Sequence, residues 1–269
     1  METMRFIHMS DIHYKKSYKD YGFEELIAAR RRPEENIRKC IETETADGID
    51  FLLITGDLTH EGGLSDCEAL ESFLKEVSGE IPYIVLPGNH DKREAFCPVF
   101  WKEPGCESGM VYDIGGLRII ALDTGRSVNG GIGQEAVNWL RELLRISAPK
   151  GTLLALHHPL IDGQDKLPCA EYDREFIDVI SNSDILGIFC GHTHHNFIAQ
   201  FAGKPYFTAD SMAFSMTTKG DDLIFEDHAG YTVMELKGNI LSAQVKQTVP
   251  EISVTASFSS DKLSQLFSQ

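Results

Sequence analysis

Five short groups of polar residues, each directly after an apolar run, contain the side chains of this sequence that could carry out chemistry. They are Asp11 with His13, Gly56-Asp57, Gly88-Asn89-His90-Asp91, His157-His158 and Gly191-His192-Thr193-His194-His195. Imidazoles and carboxylates without thiolates are typical ligands of Mn, Fe, Co or Zn. The residue types therefore predict a metal site.

The apolar runs before these groups are short and rich in β-branched and aromatic residues, as in strands that are buried on both faces. Ligands of an open α/β sheet bind outside the carboxyl ends of its strands, so the five groups are expected to meet in one crevice. Residues i and i+2 of extended backbone point the same way, and Asp11 with His13, like His192 with His194, should face one side. One catalytic metal ion that keeps coordination positions free for water and substrate binds fewer than seven protein ligands. The seven candidate ligands therefore predict two ions.

Glycines stand beside three of the candidate ligands, Asp57, Asn89 and His192. They should let the backbone turn sharply and approach the metals closely. Two divalent ions against two carboxylates and one hydroxide leave a charge of about +1, which suits a monoanionic phosphodiester.

The elements that position these groups alternate between strand and helix over the first two thirds of the chain. The predicted strands are Arg5–Met9, Phe51–Thr55, Ile81–Leu86, Leu117–Leu122, Thr152–Leu156, Ile185–Cys190, Phe197–Phe201, Pro205–Ala209, Tyr231–Leu236 and Asn239–Lys246. Predicted helices begin at Pro33, at a cap formed by Ser65 or Asp66, at Gln134 and at Tyr172. An α/β fold with two sheets and outer helices accommodates this order.

Composition excludes several classes of protein. The chain has 269 residues, of which 42% are hydrophobic, so it can bury a large core and is not disordered as a whole. No apolar run reaches the roughly 18 residues that span a bilayer. The net charge of −16 argues against binding to a nucleic-acid polymer or an anionic membrane. Six cysteines without a C-x-x-C pair, and no secretory signal at the start, predict reduced thiols and a cytoplasmic location.

The order of the five groups resembles the signature of the calcineurin-like metallophosphoesterases, over about residues 4 to 236. Within that family the chain is most similar to bacterial class III cyclic nucleotide phosphodiesterases and related glycerophosphodiesterases. The supporting stretches are Leu86 to Arg93, Gly116 to Thr124 and Leu156 to Leu160. The resemblance implies the family's four-layer αββα sandwich of two mixed β-sheets flanked by helices.

The resemblance also implies a role for each motif residue. One metal ion would be bound by Asp11, His13, Asp57 and His194. The other would be bound by Asp57, Asn89, His157 and His192, with Asp57 bridging the two. Asn89 and His90 would bind the substrate phosphate, and His90 would be the catalytic residue that protonates or stabilises the leaving oxygen.

The function predicted from these residues is hydrolysis of a small phosphodiester, and a 3′,5′-cyclic nucleotide is the preferred candidate substrate. A hydroxide that bridges two divalent ions (Mn, Fe or Zn) would attack phosphorus in line. A glycerophosphodiesterase is the alternative. A nuclease fits the acidic charge less well, and a non-catalytic scaffold of the same fold does not explain why His90 and all seven ligands are present.

The sequence leaves the roles of several residues and segments undecided. His60 stands where many relatives have an Asp or Asn that orients the catalytic histidine, so either His60 or Asp91 could orient His90. Solvated positions are expected for His60, Arg93 and His228. Residues 1–248 are predicted to form the catalytic domain. Residues 249–269 are predicted to be a tail, docked or at an oligomer contact, which leaves a homo-oligomer open. Substrate specificity is expected from Tyr14 to Arg32, the segment after Asp123, and Ser211 to His228.

Overall fold

The computed structural model describes residues 3–18, 32–103, 108–162, 167–248 and 254–259. The strands are β1 (Thr3–Met9), β2 (Phe51–Thr55), β3 (Tyr83–Leu86), β4 (Gly109–Ile114), β5 (Leu117–Leu122), β6 (Thr152–Leu156), β7 (Ile185–Cys190), β8 (Phe197–Phe201), β9 (Lys204–Thr208), β10 (Ser215–Lys219), β11 (Asp222–Glu226), β12 (Gly230–Lys237), β13 (Ile240–Gln247) and β14 (Val254–Ser259). The α-helices are α1 (Pro33–Glu44), α2 (Leu64–Ser78), α3 (Arg93–Phe96), α4 (Gln134–Leu144) and α5 (Arg174–Ser181).

Two mixed sheets form the centre of the fold. The first has the order β13-β12-β1-β2-β3, with β1, β2 and β3 parallel. The second has the order β4-β5-β6-β7-β9-β8, with β5, β6, β7 and β9 parallel. The two sheets face each other, and Phe6 of β1 meets Phe189 of β7 edge to face with 5.6 Å between ring centroids.

The outer layers follow from the alternation of side chains along each strand. Ile119 and Ala121 of β5 belong to the core that includes the first sheet, α1 and α2. Ile120 and Leu122 of the same strand pack instead with the buried faces of α4 and α5. The predicted class, α/β with two mixed sheets between helices, is therefore confirmed.

A third sheet was not predicted from the sequence. Strands β10, β11 and β14 pair antiparallel in that order. The strand β14 lies inside the segment 249–269, where a tail was predicted, and the rest of that segment lies outside the described residues. The boundary at residue 248 remains a prediction.

The boundaries of individual elements differ by a few residues from those predicted. The helix α2 begins at Leu64, two or three residues earlier than a cap at Ser65 or Asp66 predicts, because Gly63 is its N-cap and the Asp66 carboxylate accepts a hydrogen bond from the Gly63 N–H. The strand β3 begins at Tyr83 and not at Ile81, after Pro82. No helix in the described ranges is long and apolar enough to cross a membrane.

Among the cysteines that the structure describes, Cys97 differs from the prediction. Cys40, Cys67, Cys169 and Cys190 are free thiols, as expected. Cys97 is disulfide-bonded, so the expectation of reduced thiols throughout was wrong there.

Candidate metal centre

The five polar groups meet where the carboxyl ends of strands from both central sheets converge. Asp11, Asp57 and Asn89 follow β1, β2 and β3 of the first sheet, and His157 and His192 follow β6 and β7 of the second. His90 and five of the seven candidate ligands line a single cavity. The other two, Asp11 and His157, lie against His194 and Asp57. The structure therefore brings together every site residue that the sequence singled out.

Five of the candidate ligands have a left-handed backbone. The φ angles are 51° at Asp11, 47° at His13, 48° at Asp57, 70° at His192 and 58° at His194. The prediction of extended backbone, made for Asp11, His13, His192 and His194, was wrong. Each has left its strand in a sharp turn, a conformation that costs free energy in non-glycine residues and is concentrated at functional sites.

The first cluster joins residues after β1 to residues after β7. Nε2 of His13 lies 3.0 Å from Nε2 of His194. Oδ1 of Asp11 lies 3.3 Å from Nε2 of His194 and 3.9 Å from Nε2 of His13. Oδ2 of Asp57 lies 3.7 Å from Nε2 of His13. Four ligand atoms thus point towards one position.

The second cluster shares Asp57 with the first. Oδ2 of Asp57 lies 3.3 Å from Nε2 of His157, and that nitrogen lies 3.1 Å from Oδ1 of Asn89. Nδ1 of His192 lies 3.3 Å from Nε2 of His157. Because the same Asp57 oxygen borders both clusters, the arrangement suits a carboxylate shared by two cations.

The donor set fits divalent metal ions. Oδ1 of Asp11 is buried and accepts no hydrogen bond from the described part of the chain, an unusual and costly state for a carboxylate oxygen. Asp11, His13 and His194 place one ligand atom each within 4.8 Å of one another, and so do Asp11, Asp57 and His157. A cation at these positions would satisfy the buried oxygen.

The ionisation of the buried groups points the same way. Burial alone would raise the pKa of Asp57, but His157 and His90 hold it well below its usual value. The Asp57 carboxylate in turn raises the pKa of His157 to about 9, although burial opposes this. Burial lowers the pKa of His13 and of His192, which keeps both imidazoles in the neutral form that binds metal. An ionised Asp57 thus requires neighbouring positive charge, which protons or metal ions can supply.

The ring nitrogens turned away from the clusters are held by other groups. Nδ1 of His157 lies 2.8 Å from the Thr55 carbonyl, and Nδ1 of His194 lies 2.8 Å from the Phe214 carbonyl. Both carbonyls accept an N–H, which fixes the tautomer and directs Nε2 into the cluster. Nδ1 of His13 lies 3.1 Å from Nδ1 of His60.

Glycines permit the close approach of the loops, as predicted. A Cβ on Gly88 would lie 2.7 Å from Cγ of Asp57, and a Cβ on Gly191 would lie 2.6 Å from the Thr55 carbonyl oxygen. Gly56, with φ of 92°, passes against the His157 ring. The three loops can meet only because these positions have no side chain.

Substitution Gly88→Ala is therefore expected to displace Asp57. We expect a loss of about 1–3 kcal/mol in the free energy of unfolding, typical of overpacking, together with weaker metal binding. Urea unfolding and Mn²⁺ titration would measure both. Gly131→Ala is the matched control, because the nearest atom to its added Cβ is 3.9 Å away. Equal behaviour of the two variants would contradict the steric requirement.

Glu61 holds His90, a contact that was not predicted from the sequence. Nδ1 of His90 lies 3.1 Å from Oε1 of Glu61, whose backbone has φ of 51°. Burial would lower the pKa of His90, but the Asp57 carboxylate and the bond to Glu61 raise it. The position after His60 gave no signal, because glutamates are mostly solvated.

The two residues proposed from the sequence for this role have other contacts. Asp91 accepts hydrogen bonds from the backbone N–H groups of Leu58, Thr59 and Gly88, so it joins the loops after β2 and β3. His60 is buried rather than solvated, with its ring stacked on that of His90 at 4.7 Å between centroids.

Two more residues expected in solvent are buried and paired. The Arg93 guanidinium donates to both oxygens of Asp123 and to the Gly88 carbonyl, so it supports the loop that carries Asn89. His228 lies 3.3 Å from Oδ2 of Asp210. Local sequence patterns did not indicate these ion pairs, because the two residues of each pair are distant along the chain.

The His228–Asp210 pair predicts a stability that depends on pH. The hydrogen bond to Asp210 raises the pKa of His228 against the opposing effect of burial, with Glu226 and Asp227 adding to the rise. A raised pKa stabilises the fold below the unfolded value of about 6.5, and this contribution disappears as the pH rises through the folded pKa. We expect His228→Gln to cost about 1–2 kcal/mol at pH 5.5 and less at pH 8.5. Urea unfolding at both pH values is the measurement, and a cost that grows with pH would contradict the pairing.

A cavity of about 420 Å³ opens beside the clusters. Its polar part includes Asp57, Asn89, His90, His192 and His194. Its apolar part consists of Val128, Leu167, Phe214, Met216, Leu223 and Phe225. Val128 follows Asp123, and the last four residues lie between Ser211 and His228, two of the segments from which specificity was expected.

Two facing mixed sheets between helices, with carboxylate and imidazole ligands gathered at their strand ends, define a metal-dependent phosphoester hydrolase. The chain belongs to the calcineurin-like phosphoesterase family, whose model matches residues 4–196. This family uses divalent metal ions, and the predicted family and enzyme class are confirmed.

Relatives agree with this membership. The chain is 33% identical over 220 residues to a Rhodococcus erythropolis protein named "Probable cyclic nucleotide phosphodiesterase", covering 78% of this chain and 71% of the relative. It is 29% identical over 157 residues to an Arcobacter nitrofigilis protein named "Probable glycerophosphodiester phosphodiesterase GpdQ", covering 54% and 56%. A purple acid phosphatase from yellow lupin shares the fold, with a TM-score of 0.66 and 13% identity over 96% of this chain and 53% of the other.

Proposed function

We propose that this protein hydrolyses a small phosphodiester, most readily a 3′,5′-cyclic nucleotide, with two divalent ions held by the paired clusters. The observation that carries the proposal is the Asp57 oxygen that borders both clusters, 3.7 Å from His13 Nε2 and 3.3 Å from His157 Nε2. The relative with 33% identity is named as a cyclic nucleotide phosphodiesterase, which supports this substrate class.

The seven ligands divide into two sets in this proposal. Asp11, His13, Asp57 and His194 would bind one ion, and Asp57, Asn89, His157 and His192 would bind the other. Mn, Fe and Zn all suit these ligands. When bound, such ions lower the pKa of water and offset the charge of a phosphodiester, so that hydroxide is available for in-line attack near neutral pH.

His90, which belongs to neither ligand set, and Asn89, which belongs to the second, would also contact the substrate. His90 borders the cavity with Nδ1 turned to Glu61, which leaves Nε2 as the atom that meets substrate. Its backbone N–H donates to Oδ1 of Asp57 at 2.8 Å, which fixes the residue beside the clusters. His90 would donate a proton to the leaving alkoxide, and Asn89 would help to hold the phosphate.

A glycerophosphodiesterase is the alternative, supported by the relative that carries that name. A scaffold of this fold without activity needs neither the strained backbone at five ligand positions nor a buried Asp11 oxygen that accepts no hydrogen bond from any described residue. The acidic net charge of −16 supports a small substrate rather than a nucleic-acid polymer or a membrane surface. A cytoplasmic location is part of the same proposal. The proposal is compatible with a monomer and with a homo-oligomer.

The experiment is a substrate panel with protein loaded with Mn²⁺. We expect the fastest hydrolysis for cyclic nucleotides, followed by glycerophosphodiesters and then nucleotide sugars. Phosphomonoesters should be hydrolysed most slowly or not at all. Elemental analysis should find two ions per chain, and chelation should abolish activity. One ion per chain at full activity would contradict the paired clusters. Faster hydrolysis of glycerophosphodiesters than of cyclic nucleotides would show that the protein is a glycerophosphodiesterase.

A further inference from the structure

The third sheet presents one apolar face. Met216 of β10 stands opposite Phe225 of β11, and Leu223 stands opposite Thr218. Directly opposed residues of an antiparallel pair lie on the same face, and Leu223 and Phe225, two residues apart, share it as well. The strand β14 adds Phe258, which stands opposite Leu223.

This face lines the cavity beside the clusters. Four residues, here called the apolar wall, contribute to the lining: Phe214, Met216, Leu223 and Phe225. Phe214 and Phe225 are buried, which makes them the support of the wall. Met216 and Leu223 are only half-buried and border the open space.

The wall has a fixed position relative to the metal ligands. The Phe214 ring stacks on the His13 ring at 5.5 Å between centroids and lies 4.6 Å from the His194 ring. The Phe214 carbonyl also lies 2.8 Å from Nδ1 of His194. A ligand whose phosphate binds at the clusters therefore meets the wall at a distance that the protein sets in advance.

The cavity has a polar end, where cations would bind, and an apolar wall. It therefore suits a ligand that has an anionic group next to an apolar one. The base of a nucleotide offers flat, weakly hydrated faces next to a phosphate, whereas a glycerol group offers hydroxyls that lose water against such a surface. We propose that Met216 and Leu223 bind the heteroaromatic base of a nucleotide substrate and determine specificity for it. This inference rests on the proposed function for the phosphate end of the site.

The test separates the base from the phosphate. Wild-type protein with Mn²⁺ is given adenosine 3′,5′-cyclic phosphate and 1-deoxyribose 3′,5′-cyclic phosphate, which has the same reacting ring and no base. We expect kcat/KM to be roughly 10-fold to 100-fold higher with the base, mainly through KM, as for other apolar pockets. Met216→Ala with Leu223→Ala should raise KM for the nucleotide about tenfold and affect the compound without a base much less. Equal kcat/KM for the two compounds in wild type would overturn the inference.

Binding is measured separately, so that the inference is tested even without turnover of cyclic nucleotides. Calorimetry should find that adenosine 5′-phosphate binds about tenfold more tightly than ribose 5-phosphate, and that the double variant loses this difference. Ile198→Ala is the control, since that side chain is exposed on the edge strand β8. If cyclic nucleotides are not hydrolysed but the calorimetric difference is present, the proposed function fails and the base site stands. If no difference is found, the base site fails.

Discussion

Asp57→Ala is expected to release both metal ions and to lower kcat/KM by roughly 10³-fold or more, the several kcal/mol that a divalent ion contributes to the transition state. The reason is geometric: Oδ2 of Asp57 borders both clusters. The variant also removes the acceptor of the His90 backbone N–H. Mn²⁺ titration by calorimetry and elemental analysis measure the number of ions retained.

Asn89→Ala is the comparison for this variant. Asn89 offers one neutral oxygen, 3.1 Å from Nε2 of His157, and borders only the second cluster. We expect it to weaken one site and leave the other, while Asp57→Asn, which keeps one side-chain oxygen, should fall between the two alanine variants. Retention of one tightly bound ion in Asp57→Ala would show that Asp57 is not shared.

His90→Ala should keep both ions and lose activity by roughly 10²-fold to 10⁴-fold, the range typical of a positioned acid. The loss should depend on the leaving group. A cyclic nucleotide expels an alkoxide that needs a proton, whereas a nitrophenyl phosphodiester expels a stabilised phenolate. We therefore expect far greater damage on the cyclic nucleotide, measured as kcat/KM for both substrates with the same metal-loaded protein.

Two outcomes of the His90→Ala experiment would change the assignment. Equal damage on both substrates, with the ions retained, would mean that His90 binds the phosphate and does not donate the proton. Loss of metal would mean that His90 belongs to a ligand set. Glu61→Gln keeps an acceptor for His90 Nδ1–H and should lose much less activity than Glu61→Ala, because Glu61 acts only by holding the ring.

The sequence predicted the parallel strands of the fold most accurately. The bounds predicted for β2, β5, β6 and β7 are those observed, because continuous apolar runs between turn residues have few alternatives in a doubly covered sheet. The antiparallel edge strand β8 was also predicted with its observed bounds. The strands β4, β10, β11 and β14 were missed. Three of them form the third sheet, whose residues are half polar and whose strand Val254–Ser259 pairs with the distant Asp222–Glu226.

For the site, the sequence by itself determined the residue types: carboxylates, imidazoles and one amide, placed after strands that had to end at a common edge. These follow from local pattern, because ligand type and strand end are both visible within a few residues. The tertiary structure decided which groups support them. Glu61 meets His90 across 29 positions and Arg93 meets Asp123 across 30, and His60 is buried only because the loops after β1 and β2 pack together. It also decided the apolar wall and the left-handed turns, because a contact or a strained backbone angle depends on the whole packed chain and leaves no mark on a single stretch of sequence.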